Sequence, residues 1–178
     1  MSNLYLDEDI KIAGDKPSRD IKRNLENDIN INKEIAEKAR EWGKKVAVNF
    51  IDDVTAAQGE DKADAQMLIQ RRMLLSFTAT VGFEQFAGDD SISGIAQKSF
   101  IDTVTDADSS LYRGASDTGA YSFYFLAFRR GGEVDRRIGQ TFAMLCSHDG
   151  DPIYQELGEA LYCWFLSVVK ETAEEIFN

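Results

Sequence analysis

Histidine, cysteine and proline are scarce in this chain: one, two and two residues among 178. A single histidine rules out the paired Glu-x-x-His ligands of a di-iron bundle, the His-Glu-x-x-His zinc helix and the zinc fingers, each of which needs at least two imidazoles or four thiolates. Two cysteines, Cys146 and Cys163, cannot make a disulfide framework. Both fall inside apolar helical patterns, where a lone thiol packs as a small hydrophobe in a reducing compartment. Walker loops, dinucleotide glycine fingerprints and Gly-x-Ser-x-Gly elbows are also missing, so no cofactor is expected. The segment Met1 to Asp9 lacks the basic flank and apolar core of a signal peptide, and no apolar run approaches the roughly 20 residues that span a bilayer. A soluble cytoplasmic protein is the expectation.

Positive charge is short as well. The net charge is −11, and from Ile138 onward Lys170 is the only lysine or arginine, set against Asp149, Asp151, Glu156, Glu159, Glu171, Glu174 and Glu175. Nucleic-acid binding draws most of its affinity from neutralising phosphates, and anionic membranes repel such a surface, so neither is expected as a partner.

Helical periodicity, by contrast, is plentiful. Ile31, Ile35, Ala39, Trp42, Val46, Phe50 and Val54 make one stripe, and a broader one from about Asp61 to Phe86 includes Met67, Leu68, Met73, Leu74, Leu75, Phe77 and Val81. Gly82 suits a close helix crossing. Asp89 and Asp90 precede a helix bearing Ile92, Ile95, Ala96, Phe100 and Val104, and Asp106 to Ser116 reads as a loop. Past Gly131 and Gly132, Val134, Ile138, Phe142 and Leu145 share a face. Asp151-Pro152 opens the last helix as cap and first residue, with Ile153, Leu157, Leu161, Trp164, Val168 and Ile176 as its expected buried side.

The greasiest stretch is Ala120 to Phe128, with Asp117 as a candidate cap and the glycine pair as a stop. Its Tyr121, Phe123, Tyr124, Phe125, Leu126 and Phe128 point nearly all round a helix, which predicts burial by neighbours on several sides. The fold class expected is therefore all-α: a single compact bundle of six or seven helices over residues 18–178, around a buried aromatic helix 117–131. Ahead of it, residues 1–17 read as an extended arm whose Leu4, Leu6, Ile10 and Ile12 need a surface to cover. A short helix from Ser18 is expected to break at the asparagine-rich stretch Asn27 to Asn32.

Four constellations could carry chemistry. Arg129, Arg130, Arg136 and Arg137 lie within nine residues of an acidic chain, flanking the glycine pair. Guanidinium forks and glycine amides suit phosphate or carboxylate, with Tyr112, Tyr121 and Tyr124 as the remaining wall of a ligand pocket. Against that, cations favour a helix carboxyl end, and Glu133 with Arg137 is an ordinary i,i+4 pair. Asp106, Asp108, Ser110 and Asp117 match calcium-loop positions, but Leu111 replaces the glycine such a loop needs. The pairs Glu34/Glu37, Glu156/Glu159 and Glu171/Glu174 have the spacing used for magnesium but also that of any solvated helix face, and no metal is expected. His148 suits a turn beside a helix end as well as a proton donor. The reading that follows is a non-enzymatic interaction or regulatory protein, self-associating or bound to a partner protein. Its alternative is a binder or enzyme for a phosphate- or carboxylate-bearing small molecule at the arginine cluster.

Overall fold

Aspartates set where most of the helices begin. In the computed structural model, which describes residues 19–60, 64–115 and 118–178 and the side chains of 32–60, 64–112 and 119–178, Asp64 accepts from the amide of Gln66 at 3.0 Å. Asp89 accepts from Ser91 and Ile92, Asp108 from Ser110 at 2.8 Å, and Asp151 from Ile153 at 2.9 Å. Each carboxylate satisfies amides that have no partner inside the helix. The elements are α1 (Arg19–Gln58), α2 (Ala65–Phe86), α3 (Asp90–Ala107), α4 (Ser109–Ala115), α5 (Thr118–Arg129), α6 (Val134–Leu145) and α7 (Pro152–Phe177). The fold is all-α, with seven helices and no strand among the described residues, and none of those helices is long and apolar enough to cross a membrane. Contacts divide the chain into Met1–Glu34 and Ile35–Asn178, and the core described below belongs to the second unit. The expected arm over residues 1–17 lies outside the described residues.

The element surrounded on all sides is α2. It packs against α3, α4, α5, α6 and α7, and Met73 to Ala79 form an unbroken buried run. Its neighbours bring aromatic rings to it. Trp42 of α1 meets Phe83 edge-on at 4.8 Å and donates its indole N–H to the Val169 carbonyl of α7 at 2.9 Å. Phe77 is ringed by Tyr121, Tyr124, Phe125 and Phe128 of α5. Such edge and offset contacts add to the burial of apolar area, which supplies most of the stabilisation.

Glycines allow close approach at three crossings, against backbone at Gly43 and Gly139 and against a side chain at Gly82. A Cβ on Gly43 would stand 2.2 Å from the Ala96 carbonyl of α3, and one on Gly82 would stand 2.7 Å from Val169 Cγ1. Gly139 faces the Gln155 carbonyl at 2.3 Å, and Gly158 faces Phe142 Cβ at 2.5 Å, so α6 and α7 interlock from both sides. The close crossing expected at Gly82 is present.

Four expectations are corrected. The aromatic helix α5 is not enclosed: Ala120, Tyr124 and Ala127 face inward, while Phe123 is 48% and Leu126 57% exposed. Its apolar residues outnumber the neighbours available to cover them. The buried side of α7 is only partly the expected stripe: Leu161 and Ile176 are buried as expected, but Tyr162, Phe165, Val169 and Ala173 are inside too, and Ile153 and Trp164 are outside; Cys163 is exposed, whereas Cys146 is buried. The supposed loop Asp106 to Ser116 is largely helix, because Asp108 both closes α3 and starts α4. Finally, α1 runs through Asn27 to Asn32 without a break.

Candidate functional site

The arginine cluster divides according to helix geometry. Gly131 and Gly132 adopt φ of +66° and +73°, a left-handed turn that ends α5 and lets α6 double back beside it. Arg129 projects over the Phe125 ring, 5.9 Å from its centroid, and Arg136 reaches Glu133 at 3.4 Å in an exposed pair. Both have the ordinary surface roles of cap and pair charges.

Arg130 and Arg137 do something else. They face a groove of about 360 Å³ between α5 and α6. From α5 and the turn residue after it, the groove is lined by Phe123, Leu126, Ala127 and Arg130, and from α6 by Arg137, Gln140, Thr141 and Met144; on each side the spacing is i, i+3, i+4, i+7, the mark of one continuous face. Phe123, Leu126 and Met144 leave 40% or more of their surface in solvent. Neither arginine has a carboxylate within ion-pairing distance among the described residues, although Asp149 borders the groove. The Nη1 of Arg137 is shielded from solvent and lacks a hydrogen-bond acceptor. Its Nη2 lies 3.3 Å from where a Cβ on Gly132 would stand, so the glycine leaves room for the guanidinium to lie along the turn. A cation with a shielded, unsatisfied donor is costly to leave alone, and an incoming acceptor relieves that cost.

The three tyrosines are not part of this groove. Tyr124 is fully buried, stacked on Phe77 at 5.5 Å, with its hydroxyl unpartnered; burial pushes its pKa well above the ordinary range. Tyr121 shares a 2.7 Å hydrogen bond with Ser76, and burial raises it too. Tyr112 packs half-buried against the core. Tyr121 and Tyr124 therefore take the inner side of α5 while Phe123, Leu126 and Arg130 take the outer one.

The remaining constellations resolve into structure. Asp106 lies in the last turn of α3, and Asp108 is a helix cap whose carboxyl is held below its usual range by hydrogen bonds from Ser110; Asp117 lies outside the described residues. Among the described residues no three acidic, histidine or cysteine side chains converge as metal ligands. The glutamates 156, 159, 171 and 174 share the single helix α7, and Glu174 faces Lys170 at 3.7 Å. His148 stacks on Tyr154 with centroids 3.8 Å apart and planes 8° from parallel, and its nitrogens stand 3.9 Å from Asp64 and 4.0 Å from Asp151, the caps of α2 and α7. A larger, shallower depression of about 570 Å³ between α2 and α3 holds Lys98, which is already engaged by Asp102 at 2.6 Å.

Sequence reasoning named Arg130 and Arg137 but counted Phe123 and Leu126 as core and passed over Gln140, Thr141 and Met144. The signal was present: the same spacing repeats on either side of the glycine turn, at Phe123, Leu126, Ala127, Arg130 and at Arg137, Gln140, Thr141, Met144. No family model, curated protein or solved structure matches this chain.

Proposed function

We propose that this chain is a non-enzymatic interaction protein whose α5–α6 groove takes an acidic segment of a partner protein that also carries apolar side chains. One observation carries the reading: two arginines without carboxylate partners stand beside three exposed apolar side chains in one groove. Apolar contact supplies the affinity in such an interface, and the guanidinium forks select the sign and orientation of the incoming chain. The surrounding net charge of −11 makes the attraction local, so binding depends on short-range contact more than on long-range steering.

The test is fluorescence anisotropy with a labelled peptide of alternating leucine and glutamate, beside its leucine–lysine counterpart. The acidic peptide binds and the basic one does not. Arg130→Ala with Arg137→Ala weakens binding about tenfold, equivalent to about 1.4 kcal/mol. Equal binding of both peptides, or none, refutes the proposal. A second reading takes the groove as a site for a small phosphate- or carboxylate-bearing ligand, favoured by the shielded Nη1 of Arg137. Inorganic phosphate that raises the melting temperature and displaces the peptide supports it.

A further inference from the structure

The groove between α5 and α6 has two chemically different ends. Arg130 and Arg137 stand on either side of the glycine turn, and Phe123 and Met144 lie seven residues away from them along the two helices, with Leu126 between. Seven helical residues rise about 10.5 Å, so a basic end and an apolar end are separated by about that length. Phe123, Leu126 and Met144 are largely open to solvent, and Nη1 of Arg137 is shielded without an acceptor. An occupant that suits both ends presents apolar side chains and, about 10 Å further along, carboxylates.

The chain carries such a segment itself. Leu4-Tyr5-Leu6 is followed at once by Asp7-Glu8-Asp9, the only run of three consecutive acidic residues in the sequence. These residues lie outside the described ones and enter by their chemistry alone. An extended chain rises about 3.3 Å per residue, so the pairs Leu4/Asp7 and Leu6/Asp9 each span about 10 Å, the length between the two ends of the groove. Charge agrees with length: residues 129–137 hold four arginines against Glu133 and Asp135, and even with Asp149 at the groove's border the balance is positive, in a chain of net charge −11. We infer that residues 4–9 of a second copy occupy this groove, with the leucines on Phe123, Leu126 and Met144 and the carboxylates on Arg130 and Arg137. The inference rests on the reading of the groove given above and names its partner. Exchange of segments between two copies fills both grooves and closes a two-fold dimer, and once one segment is seated the second contact is intramolecular. Each contact is small, so association is expected in the micromolar range.

The full chain is tested by sedimentation velocity over a concentration series, where a concentration-dependent dimer is expected. Asp7→Lys with Asp9→Lys weakens it at least tenfold, and so does Arg130→Glu with Arg137→Glu. Mixed in equal amounts, these two variants associate again, because every segment then meets a groove of opposite charge on the other chain. A monomer throughout the series overturns the inference, as does a dimer indifferent to either pair of substitutions, or two variants that stay apart on mixing. Circular dichroism of each variant separates lost association from lost folding. The leucine–glutamate peptide separates this inference from the reading it rests on. It should dissociate the dimer and bind the Asp7→Lys, Asp9→Lys variant more tightly than the unaltered chain, since that variant offers no competing segment. Peptide binding by a chain that stays monomeric removes only the exchange of segments, whereas failure of both peptide and dimer removes both readings.

Discussion

Arg71 of α2 grips Asp53 of α1 with both ends of its fork, Nη2 to Oδ1 at 2.7 Å and Nε to Oδ2 at 2.8 Å, with both side chains largely withdrawn from solvent. A two-pronged, partly buried pair holds far better than an exposed one. Asp53→Ala leaves the guanidinium without its acceptor and should lower stability by about 1.5–3 kcal/mol in urea titrations. A double-mutant cycle with Arg71→Ala should return a coupling of about 1 kcal/mol or more. Additive losses would mean that the pair is ornamental.

The interlock of α6 and α7 gives a paired prediction. Gly139→Ala drives a methyl group to within 2.3 Å of the Gln155 backbone oxygen, which cannot swing aside, and should cost about 1–3 kcal/mol or more. Gly94, inside α3, has open space where its Cβ would stand, so Gly94→Ala should raise stability by about 0.5–1 kcal/mol through helix propensity. Thermal unfolding of the two variants should shift in opposite directions.

Tyr124→Phe should not harm the protein. The hydroxyl is buried without a partner, and removing a dehydrated group that makes no hydrogen bond is neutral or stabilises by about 1 kcal/mol. A loss of more than about 1 kcal/mol would show that the hydroxyl has a partner in solution, such as a bound water.

The two thiols should behave oppositely. Burial pushes Cys146 from an ordinary 9.0 up to about 12, and Cys163 is exposed. In the native state a maleimide should therefore label Cys163 alone, and Cys146 only after unfolding. The raised value also fixes a sign. The folded state keeps the Cys146 proton to higher pH than the unfolded state does, so this contribution is complete below pH 9 and is lost as pH rises toward 12. Cys146→Ala should flatten the alkaline fall in stability.

Much of the fold could be read from the chain because periodicity and capping agree. In α1 the stripe Ala39, Trp42, Val46, Phe50, Val54 is the buried stripe, and Asp151-Pro152 opens α7 as expected. Failures came where a helix has more apolar residues than one face can hold. On α5 and α7 the composition does not say which side meets neighbours, since that depends on how many helices arrive and from where. Only packing shows that Phe123, Leu126, Ile153 and Trp164 are left outside. The candidate site was half legible for the same reason. Clustering exposed the arginines, but assigning tyrosines to their pocket required the rotation of α5, which periodicity alone leaves undetermined.

The two indoles of this chain occupy opposite surroundings. Trp42 is sealed against Phe83 and tied to a carbonyl, and Trp164 faces outward from α7. Native fluorescence accordingly sums a quencher-protected emitter and a quencher-accessible one. With acrylamide, the protected fraction follows melting of the interior, and the accessible one follows whatever comes to rest on the outer surface, so two separate events can be monitored without attaching a dye.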